Sequence, residues 1–364
     1  MLLLALLLGL LAVAAFAQIP STSGFISIDC GLDDDSGYKD QVTQILYSPD
    51  EPYTSAGVNR KVSPSTNLTS IMRYYANVRS FPDGTRNCYT LRPLVRGAKY
   101  RVNAQFLYGN YDGLGRPPTF DLYLGVNLWM TMEAGDFNRS EIIAIAATES
   151  MQVCLVNTGN GTPFISELDL RPLLYSMYTQ VDSSHSVVML DAVHLELSIC
   201  LSLKKLSYRY PADPYDRLWF PVPLGRGIST NDTVKLGDGF GFQAPEAVMK
   251  TAATALSLSE SLNITVQGNP DVPTYLAMHF AELLRLGANE TREFNIYVGD
   301  SLFFGPYRPK LLLADFVYTL PPGQKGGRPT PFGPRPTPLY PHNQCPRGVH
   351  RATANLDADR RERR

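Results

Sequence analysis

Short runs in which hydrophobic and polar residues alternate dominate the chain. In residues 100–108, three apolar side chains share one face, and Arg101, Asn103 and Gln105 share the other. Residues 120–126 alternate in the same way. A period of two turns successive side chains to opposite faces of a strand, so one set is expected inward and the other outward. Gly, Pro, Asn and Asp separate these runs, as they do in turns. The pattern predicts an all-β fold.

No long stretch of the chain has a clean helical period. Residues 248–258 come closest, but their Thr and Ser content makes a strand equally plausible. Helix and strand therefore both stay open for this segment.

The chain contains an internal repeat. A shift of 174 residues places 100–108 on 274–282, and the same shift places 120–125 on 294–299. One offset fits two separate strands and preserves the length of the loop between them. Such self-similarity indicates two tandem copies of one β-domain. Each copy has a size that suits a jelly-roll-like sandwich of two packed sheets.

The two copies and their flanks divide the chain into six segments. The last segment carries nine prolines and eight arginines; because proline cannot donate to a sheet ladder, this tail is predicted to be disordered. When the repeat offset is added to the final strands of the first copy, the resulting positions fall mostly in the tail. The second copy is therefore expected to lack its last two or three strands. The segments are a signal peptide (1–17), an N-terminal segment (18–23), a first domain (24–180), a linker (181–205), a truncated second domain (206–320) and the tail (321–364).

The N-terminus predicts entry into the secretory pathway. Residues 2–17 form an unbroken apolar run that ends in the small-x-small pattern Ala15-Phe16-Ala17. At about 24 Å as a helix, the run is shorter than a hydrocarbon core of about 30 Å. A short uncleaved anchor is the alternative, because no basic residue follows Met1. The mature chain is expected outside the cell, in the apoplast or at the outer face of the plasma membrane.

Six Asn-x-Ser/Thr sequons fit this route, although a chain of this length carries a few by chance. Occupied sequons must be exposed, so they are expected in loops or at solvent-facing strand positions. They are Asn67, Asn138, Asn160, Asn231, Asn263 and Asn289.

Five cysteines cannot all pair within one chain. Their long spacings contain no C-x-x-C motif, which argues against a zinc site. A bridge between Cys88 and Cys154 is one interpretation, and buried free thiols are the other.

Charge and motifs exclude several classes of function. Lys and Arg (33) nearly balance Asp and Glu (34), so bulk basicity offers no route to nucleic acid. The sequence contains no G-x-S-x-G elbow, no H-E-x-x-H and no P-loop. The run at 33–35 is acidic but lacks the spaced oxygen donors of a tight calcium site. We therefore expect no enzyme, no cofactor and no metal.

Tyrosine is the positive signal: the chain has 20 tyrosines and 2 tryptophans. Tyr108, Tyr111 and Asp112 lie in a turn between two predicted strands, where a rigid sheet can present a loop. A tyrosine ring offers a flat apolar face with a polar tip, which suits sugar rings and peptide side chains. These three residues are the candidate ligand-binding site. The alternative is that the tyrosines cover the edges of the sandwich.

Several motifs, in order along the chain, resemble the malectin-like ectodomain of plant leucine-rich-repeat receptor-like kinases. The resemblance covers residues 24–320. The motifs lie at 24–31, 86–89, 107–113, 120–125, 153–159, 209–211, 214–219 and 293–297.

This resemblance implies two tandem malectin-like β-sandwiches at the surface of a plant cell. It implies a receptor-type module that binds cell-wall carbohydrate or a secreted peptide, with a receptor-like kinase co-receptor as a further partner. Animal malectin binds a glucose disaccharide through loop aromatics and an acid, but that set is not reproduced here, so carbohydrate binding is an analogy.

The chain departs from the family pattern in having no leucine-rich repeats, no second apolar span and no kinase motifs. Association with a membrane would rest on the family's missing transmembrane helix or on an uncleaved N-terminus. The alternative function is that of a truncated, non-signalling paralogue or gene fragment that acts through protein–protein association, since an unpaired sheet edge favours strand addition.

Overall fold

A computed structural model describes the architecture of the chain. It covers residues 21–63, 72–133, 135, 137–189, 193–195, 209–222, 224–237, 242, 244–257, 260–268, 276–318 and 350–358. The predicted signal peptide lies outside the described residues. The described part is nearly all strand, so the prediction of an all-β fold is confirmed. No helix in it is long and apolar enough to span a bilayer.

The strands fall into a first unit, β1–β13, and a second unit, β17–β25, with β14–β16 between them. A 3₁₀ turn covers Arg73–Tyr75, and helix α1 covers Glu246–Met249. The first unit consists of β1 (Ile26–Asp29), β2 (Tyr38–Lys39), β3 (Leu46–Tyr47), β4 (Val58–Lys61), β5 (Asn77–Ser80), β6 (Arg86–Leu91), β7 (Lys99–Leu107), β8 (Thr119–Leu124), β9 (Asn127–Glu133), β10 (Phe137–Ile145), β11 (Met151–Asn160), β12 (Phe164–Ile165) and β13 (Glu167–Leu173). The remaining strands are β14 (Val187–Met189), β15 (Val193–Leu195), β16 (Phe220–Val222), β17 (Arg226–Ser229), β18 (Lys235–Leu236), β19 (Thr251–Thr254), β20 (Ser261–Gly268), β21 (Ala277–Phe280), β22 (Phe294–Val298), β23 (Ser301–Tyr307), β24 (Leu313–Tyr318) and β25 (His350–Ala358).

Two antiparallel sheets form the first unit. One has the order β1-β13-β7-β10-β14, the other β6-β11-β8-β9, and the small sheet β12-β5-β4 flanks them. The apolar face of β7 supplies Val102, Ala104 and Phe106 to a core that also contains Leu122 and Leu155, all at most 2% exposed. The period-two pattern of the sequence therefore identified the inward face correctly.

The polar face of β7 is also buried, which differs from the expectation of an outward face. All nine residues of β7 are buried, including Arg101, Asn103 and Gln105. The hydroxyl of Tyr75 donates a hydrogen bond to Gln105, and residues 209–218 contribute to the cover of this face. A strand pattern shows which residues share a face, but it cannot show whether another segment covers that face.

The second unit repeats the strand order of one sheet of the first. Its four-stranded sheet has the order β20-β25-β22-β23, which matches β6-β11-β8-β9 strand for strand. In the first unit Cys154 of β11 lies opposite Tyr123, and in the second Asn355 of β25 lies opposite Tyr297. Tyr123 and Tyr297 are the residues that the repeat offset relates, so β25 holds the place of β11.

The prediction of a disordered tail is wrong for residues 350–358, which form β25. This segment contains no proline and alternates Ala352, Ala354 and Leu356 with polar residues. That is the period of a strand, and the surrounding proline-rich composition obscured it. One of the strands expected to be missing from the second unit is therefore present.

The segment between the units also contains strands. Within the predicted linker, β14 pairs with β10 and extends the first large sheet, and β15 pairs with β16. The Ser-rich start of the linker is a turn, in which Asp182 accepts hydrogen bonds from the backbone N–H groups of Ser184 and His185. Further on, both assignments left open for residues 248–258 occur in its described part, 248–257, where α1 ends at Met249 and β19 begins at Thr251.

Candidate functional site

The loop after β7 carries the three residues predicted to bind a ligand. The ring of Tyr108 is 2% exposed and lies 5.6 Å from the ring of Tyr111. Both rings contact Phe164 of β12, at centroid distances of 6.0 and 5.1 Å. The face of Tyr108 is therefore turned towards the core of the first unit, while Tyr111 is half-buried against Phe164.

Hydrogen bonds fix the shape of this loop. Asp112 Oδ1 accepts from the Tyr108 hydroxyl and from the Leu114 N–H, the latter at 3.0 Å. Asn110 Oδ1 accepts from the Gly115 N–H at 2.8 Å, and the Tyr108 hydroxyl oxygen accepts from the Arg116 N–H at 3.2 Å. Asn110 itself adopts a left-handed backbone with φ of 52°, a conformation that asparagine tolerates better than most residues. The structure thus brings Tyr108, Tyr111 and Asp112 together as supports of the loop.

The electrostatics of the loop keep these bonds in place. Burial, together with the hydrogen bond to Asp112, raises the pKa of Tyr108 to about 12, so its hydroxyl remains a donor at any physiological pH. Burial also raises the pKa of Tyr111, whose hydroxyl donates to the Thr162 carbonyl at 3.3 Å. The hydrogen bonds give the loop its shape before any ligand binds.

Two exposed side chains of the loop escaped the sequence reasoning. Leu114 is 73% exposed, and Arg116 is exposed beside it. The sequence does contain one indication that Leu114 is exposed. Leu114 lies between Gly113 and Gly115, which have no side chains that could cover an apolar residue. A search for aromatic residues passed over both.

The predicted glycosylation sites lie in different environments. Asn160, Asn231, Asn263 and Asn289 are exposed, as an occupied sequon requires. Asn138 is half-buried, and its amide donates to the Gly135 carbonyl. Asn67 lies outside the described residues.

The described cysteines include one disulfide-bonded pair and one free thiol. The Sγ atoms of Cys88 and Cys154 are 2.07 Å apart and form a disulfide between β6 and β11. The two residues are direct cross-strand partners in the register of these strands. Cys30 is a buried free thiol, while Cys200 and Cys345 lie outside the described residues.

A buried network of charges joins the first unit to the segment that leads into the second. Asp216 accepts from Arg171 of β13 at 2.8 Å and from Arg209 at 2.8 Å. Burial alone would raise the pKa of Asp216, but the charges of Arg209 and Arg171 outweigh it and hold the pKa well below its usual value. On the same face, Arg101 pairs with Glu141 at 2.6 Å and with Asp169 at 3.0 Å. Each of these buried charges has a partner, which is the condition for keeping it in the interior.

A second ion pair continues the network towards the second unit. Asp213 Oδ2 accepts from Arg217 Nε at 2.7 Å and from the Trp219 indole N–H at 2.6 Å. Trp219 belongs to an apolar cluster that also contains Ile143 of β10 and Phe316 of β24. The motifs at 209–211 and 214–219 are visible in the sequence, but nothing in their spacing identifies them as the connection between the units.

Burial raises the pKa values of two carboxyls on the buried polar face. Burial raises the pKa of Asp29 to about 7. Burial, followed by the charge of Asp169, raises the pKa of Glu167 well above its usual range. These two residues are direct cross-strand partners between β1 and β13, so ionising both would place two negative charges side by side.

Nothing in the described residues forms a metal centre, since no three His, Cys, Asp or Glu side chains lie close enough together to hold an ion. The acidic run at 33–35 is engaged with protein groups. Asp33 accepts from the Asn59 amide at 2.9 Å, and Asp34 lies 3.9 Å from Arg73.

The fold and motifs define a receptor-type β-sandwich module, and a profile of the malectin-like domain matches residues 28–327. The chain belongs to the malectin-like family. It is 38% identical over 305 residues to the LRR receptor-like serine/threonine-protein kinase IOS1 of Arabidopsis thaliana, a match that covers 82% of this chain and 33% of the relative. It is 36% identical over 311 residues to a putative leucine-rich repeat receptor-like protein kinase of the same plant, covering 82% of this chain and 34% of the relative. The chain thus spans about a third of the length of these relatives, and no kinase domain lies within it.

Solved structures with the same fold come from plant receptor kinases. The plant receptor-like kinase FER superposes with a TM-score of 0.66 at 17% identity, covering 92% of this chain and 90% of that one. The extracellular domain of ANXUR1 from Arabidopsis thaliana gives 0.65 at 13% identity, covering 92% and 97%. A complex of the peptide RALF23 with FER and LLG2 gives 0.56 at 13% identity, covering 93% and 96%. These likenesses establish the fold.

Proposed function

We propose that this module lies at the outer face of the plant cell and binds a secreted peptide through the loop of residues 109–116. Leu114 and Arg116 supply the contact. Tyr108, Tyr111 and Asp112 shape the loop from below. This reassigns the three predicted residues from ligand contact to support of the contact surface.

The burial of the Tyr108 ring carries the proposal. Recognition of a sugar ring by stacking needs an open aromatic face, and Tyr108 is 2% exposed and packed on Phe164. Peptide side chains need instead an exposed apolar residue and a polar or charged group held on a rigid frame. The loop offers that combination, so the geometry favours a peptide over cell-wall carbohydrate.

The chemistry of the loop indicates the kind of peptide. Leu114 presents an apolar side chain that is 73% exposed, and Arg116 presents a guanidinium that suits carboxylates. A peptide with an apolar residue near an acidic one would match both. The hydrogen bonds of Asn110 and Asp112 hold the loop before binding, which reduces the entropy lost on association.

A structural neighbour supports a peptide and a co-receptor as classes of partner. The peptide RALF23 is found in complex with FER and LLG2. At 13% identity this relation transfers no contact residue. We therefore propose a peptide ligand, with a co-receptor as a second partner, on the strength of the loop geometry in this chain.

The test screens the secreted chain against a phage-displayed library of random 15-residue peptides and against an array of cellulose-, xyloglucan- and pectin-derived oligosaccharides. We expect enriched peptides that bind about tenfold more weakly, or worse, to the double variant Leu114→Ala/Arg116→Glu. The matched control is Val95→Ala/Arg96→Glu, which changes an exposed apolar–cationic pair on another loop. This control should bind like the unmodified chain.

Two results would contradict the proposal. Binding to an oligosaccharide with no enriched peptide would replace the peptide by a carbohydrate. Peptides that bind equally to the unmodified chain and to the Leu114/Arg116 variant would place the site on another surface.

A further inference from the structure

We propose that the slot between β20 and β22 also accepts β25 from a second copy of this chain, so that two copies exchange this strand and form a dimer. The partner is therefore this chain itself. The interaction does not involve the loop of residues 109–116.

The slot consists of two strand edges that β25 joins. β25 pairs with β20 along its whole length, from Ser261 opposite Asp357 to Gly268 opposite His350. On its other side it pairs with β22, from Phe294 opposite Ala358 onwards. Without β25, the facing edges of β20 and β22 would lose these backbone hydrogen bonds together, and exposed strand edges readily take up another strand. The slot therefore needs an occupant in extended conformation.

β25 of a second copy of the chain fits the slot because it is identical to the strand that fills it. It can adopt the same register, so reciprocal exchange preserves every strand pairing of the sheet. The closed monomer and the exchanged dimer then differ in free energy mainly through the conformation of the connector. The dimer also loses the independent motion of its two chains. Exchange of an identical element is for this reason a low-cost route to a dimer.

The connector before β25 favours exchange when it is compared with the one before β11. β10 ends at Ile145 and β11 begins at Met151, so a short turn directs β11 into its own sheet. β24 ends at Tyr318 and β25 begins at His350, which leaves 31 residues between them. Such a segment can reach about 100 Å when extended. The effective concentration of a strand at its own slot falls with connector length, so a second copy competes far better for β25 than it could for β11.

β25 itself contains no cysteine that could bond it to a neighbouring strand. Cys88 and Cys154 lock β11 to β6 by a disulfide between direct cross-strand partners. At the corresponding place in the second sheet, Asn263 of β20 lies opposite Asn355 of β25. β25 can therefore leave its slot without breaking a bond, whereas β11 cannot.

The same pair of positions provides the test. One chain carries Asn263→Cys. A second, mass-tagged chain carries Asn355→Cys and Asn263→Gln, so that neither chain has the sequon at 263. Both carry Cys200→Ser and Cys345→Ser to remove competing thiols. The two chains are mixed at about 0.5 mM, near the effective concentration of a linked strand, and then oxidised. We expect a disulfide-linked pair of one tagged and one untagged chain, identified by mass, with the fraction falling on dilution to about 1 µM.

Two controls sharpen the result. A tagged chain with Thr353→Cys in place of Asn355→Cys should not cross-link to Cys at 263, because Thr353 lies opposite Thr265 in the register. A single chain with both Asn263→Cys and Asn355→Cys should form an internal disulfide at low concentration, which shows that β25 occupies the slot and that the variant folds.

An internal cross-link without any bond between chains at 0.5 mM would overturn the proposal. Absence of both cross-links would overturn it too, because β25 would then not occupy the slot.

Discussion

β11 and β25 occupy the same place in equivalent sheets, but the first unit holds its strand far more firmly. β11 follows a short turn and is bonded to β6 through Cys88 and Cys154. β25 is separated from β24 by 31 residues, and its Asn355 lies opposite Asn263 of β20. Duplicated sheets can therefore keep the same strand order although the interactions that retain one of their strands differ. Order follows from backbone pairing, and retention depends on loops and covalent bonds.

The cores of the two units also differ, and again the first unit is the more self-contained. The core of the first unit is one large cluster made almost entirely by its own strands and the loops between them. The larger cluster around the second unit includes Ile143 of β10, Leu173 of β13 and the connecting residues Met177 and Tyr178. A smaller cluster around Ile296 lies inside the second unit. The second unit therefore depends on the first for part of its packing, and the following predictions probe that dependence.

The largest effect is expected from removing β25. Deleting residues 347–364 leaves β20 and β22 without their shared partner, so the second unit should lose its cooperative melting transition while the first unit keeps its own. Calorimetry and limited proteolysis read out by mass would show it, with one protected fragment that contains β1–β13. Deleting residues 359–364 is the control and should change neither measurement. Two transitions after the longer deletion would contradict the role given to β25.

The next largest effect is expected at the charges between the units. Asp216→Ala leaves Arg171 and Arg209 buried without their shared carboxylate, which should lower the free energy of unfolding by about 3–5 kcal/mol. Thermal and denaturant melts measure this. The control Asp182→Ala removes an exposed carboxylate beside His185 and should cost less than about 1 kcal/mol. Equal losses for both variants would mean that burial is not the cause.

A smaller effect is expected from making β11 resemble β25. The double variant Cys88→Ser/Cys154→Ser removes the disulfide and should destabilise the first unit by about 2–4 kcal/mol. The converse variant, Asn263→Cys/Asn355→Cys, should raise the melting temperature of the second unit once oxidised. If neither unit responds to its own change, the disulfide does not explain the difference between the strands.

The smallest effect concerns pH. The pKa of Asp29 is about 7 in the folded chain and near 3.8 when unfolded, so the folded state binds the extra proton between these values. Stability from this group is therefore greatest at the acid end of the window and falls as pH rises towards 7, by up to about 1.4 kcal/mol per pH unit. The stability of the unmodified chain relative to Asp29→Asn should decline between pH 5 and 7. Burial, followed by the charge of Arg217, lowers the pKa of His279 to about 3 and gives an opposite slope, which cancels in this comparison. A constant difference would contradict the raised pKa.

The sequence predicted much of the fold because the strand period and the repeat are properties of residue order. It indicated that Val102, Ala104 and Phe106 face inward, and it placed the disulfide partners among its alternatives. It missed the burial of Arg101, Asn103 and Gln105, because the residues that cover them lie far away along the chain. It missed β25 for a related reason, since composition over the whole tail outweighed nine residues with a strand period.

At the candidate site, residue type and burial indicate different roles for the same side chains. Tyr108 and Tyr111 have the chemistry of a ligand platform, but both rings pack against Phe164, whose position sequence could not supply, and Tyr108 is buried. Leu114 and Arg116 carried no motif and became visible once their exposure was known.

The separation along the chain between β20 and β25 has a consequence for biosynthesis. Cys88 and Cys154 are 66 residues apart, so the sheet of the first unit can close while the rest of the chain is still being made. Asn263 and Asn355 are farther apart, and every other described strand emerges before β25 does. During synthesis the edges of β20 and β22 therefore wait for their partner, and pairings of longer range form more slowly. If the exposed sequons at Asn263 and Asn289 carry the predicted glycans, that interval is when a glycan-binding chaperone would have the most to protect.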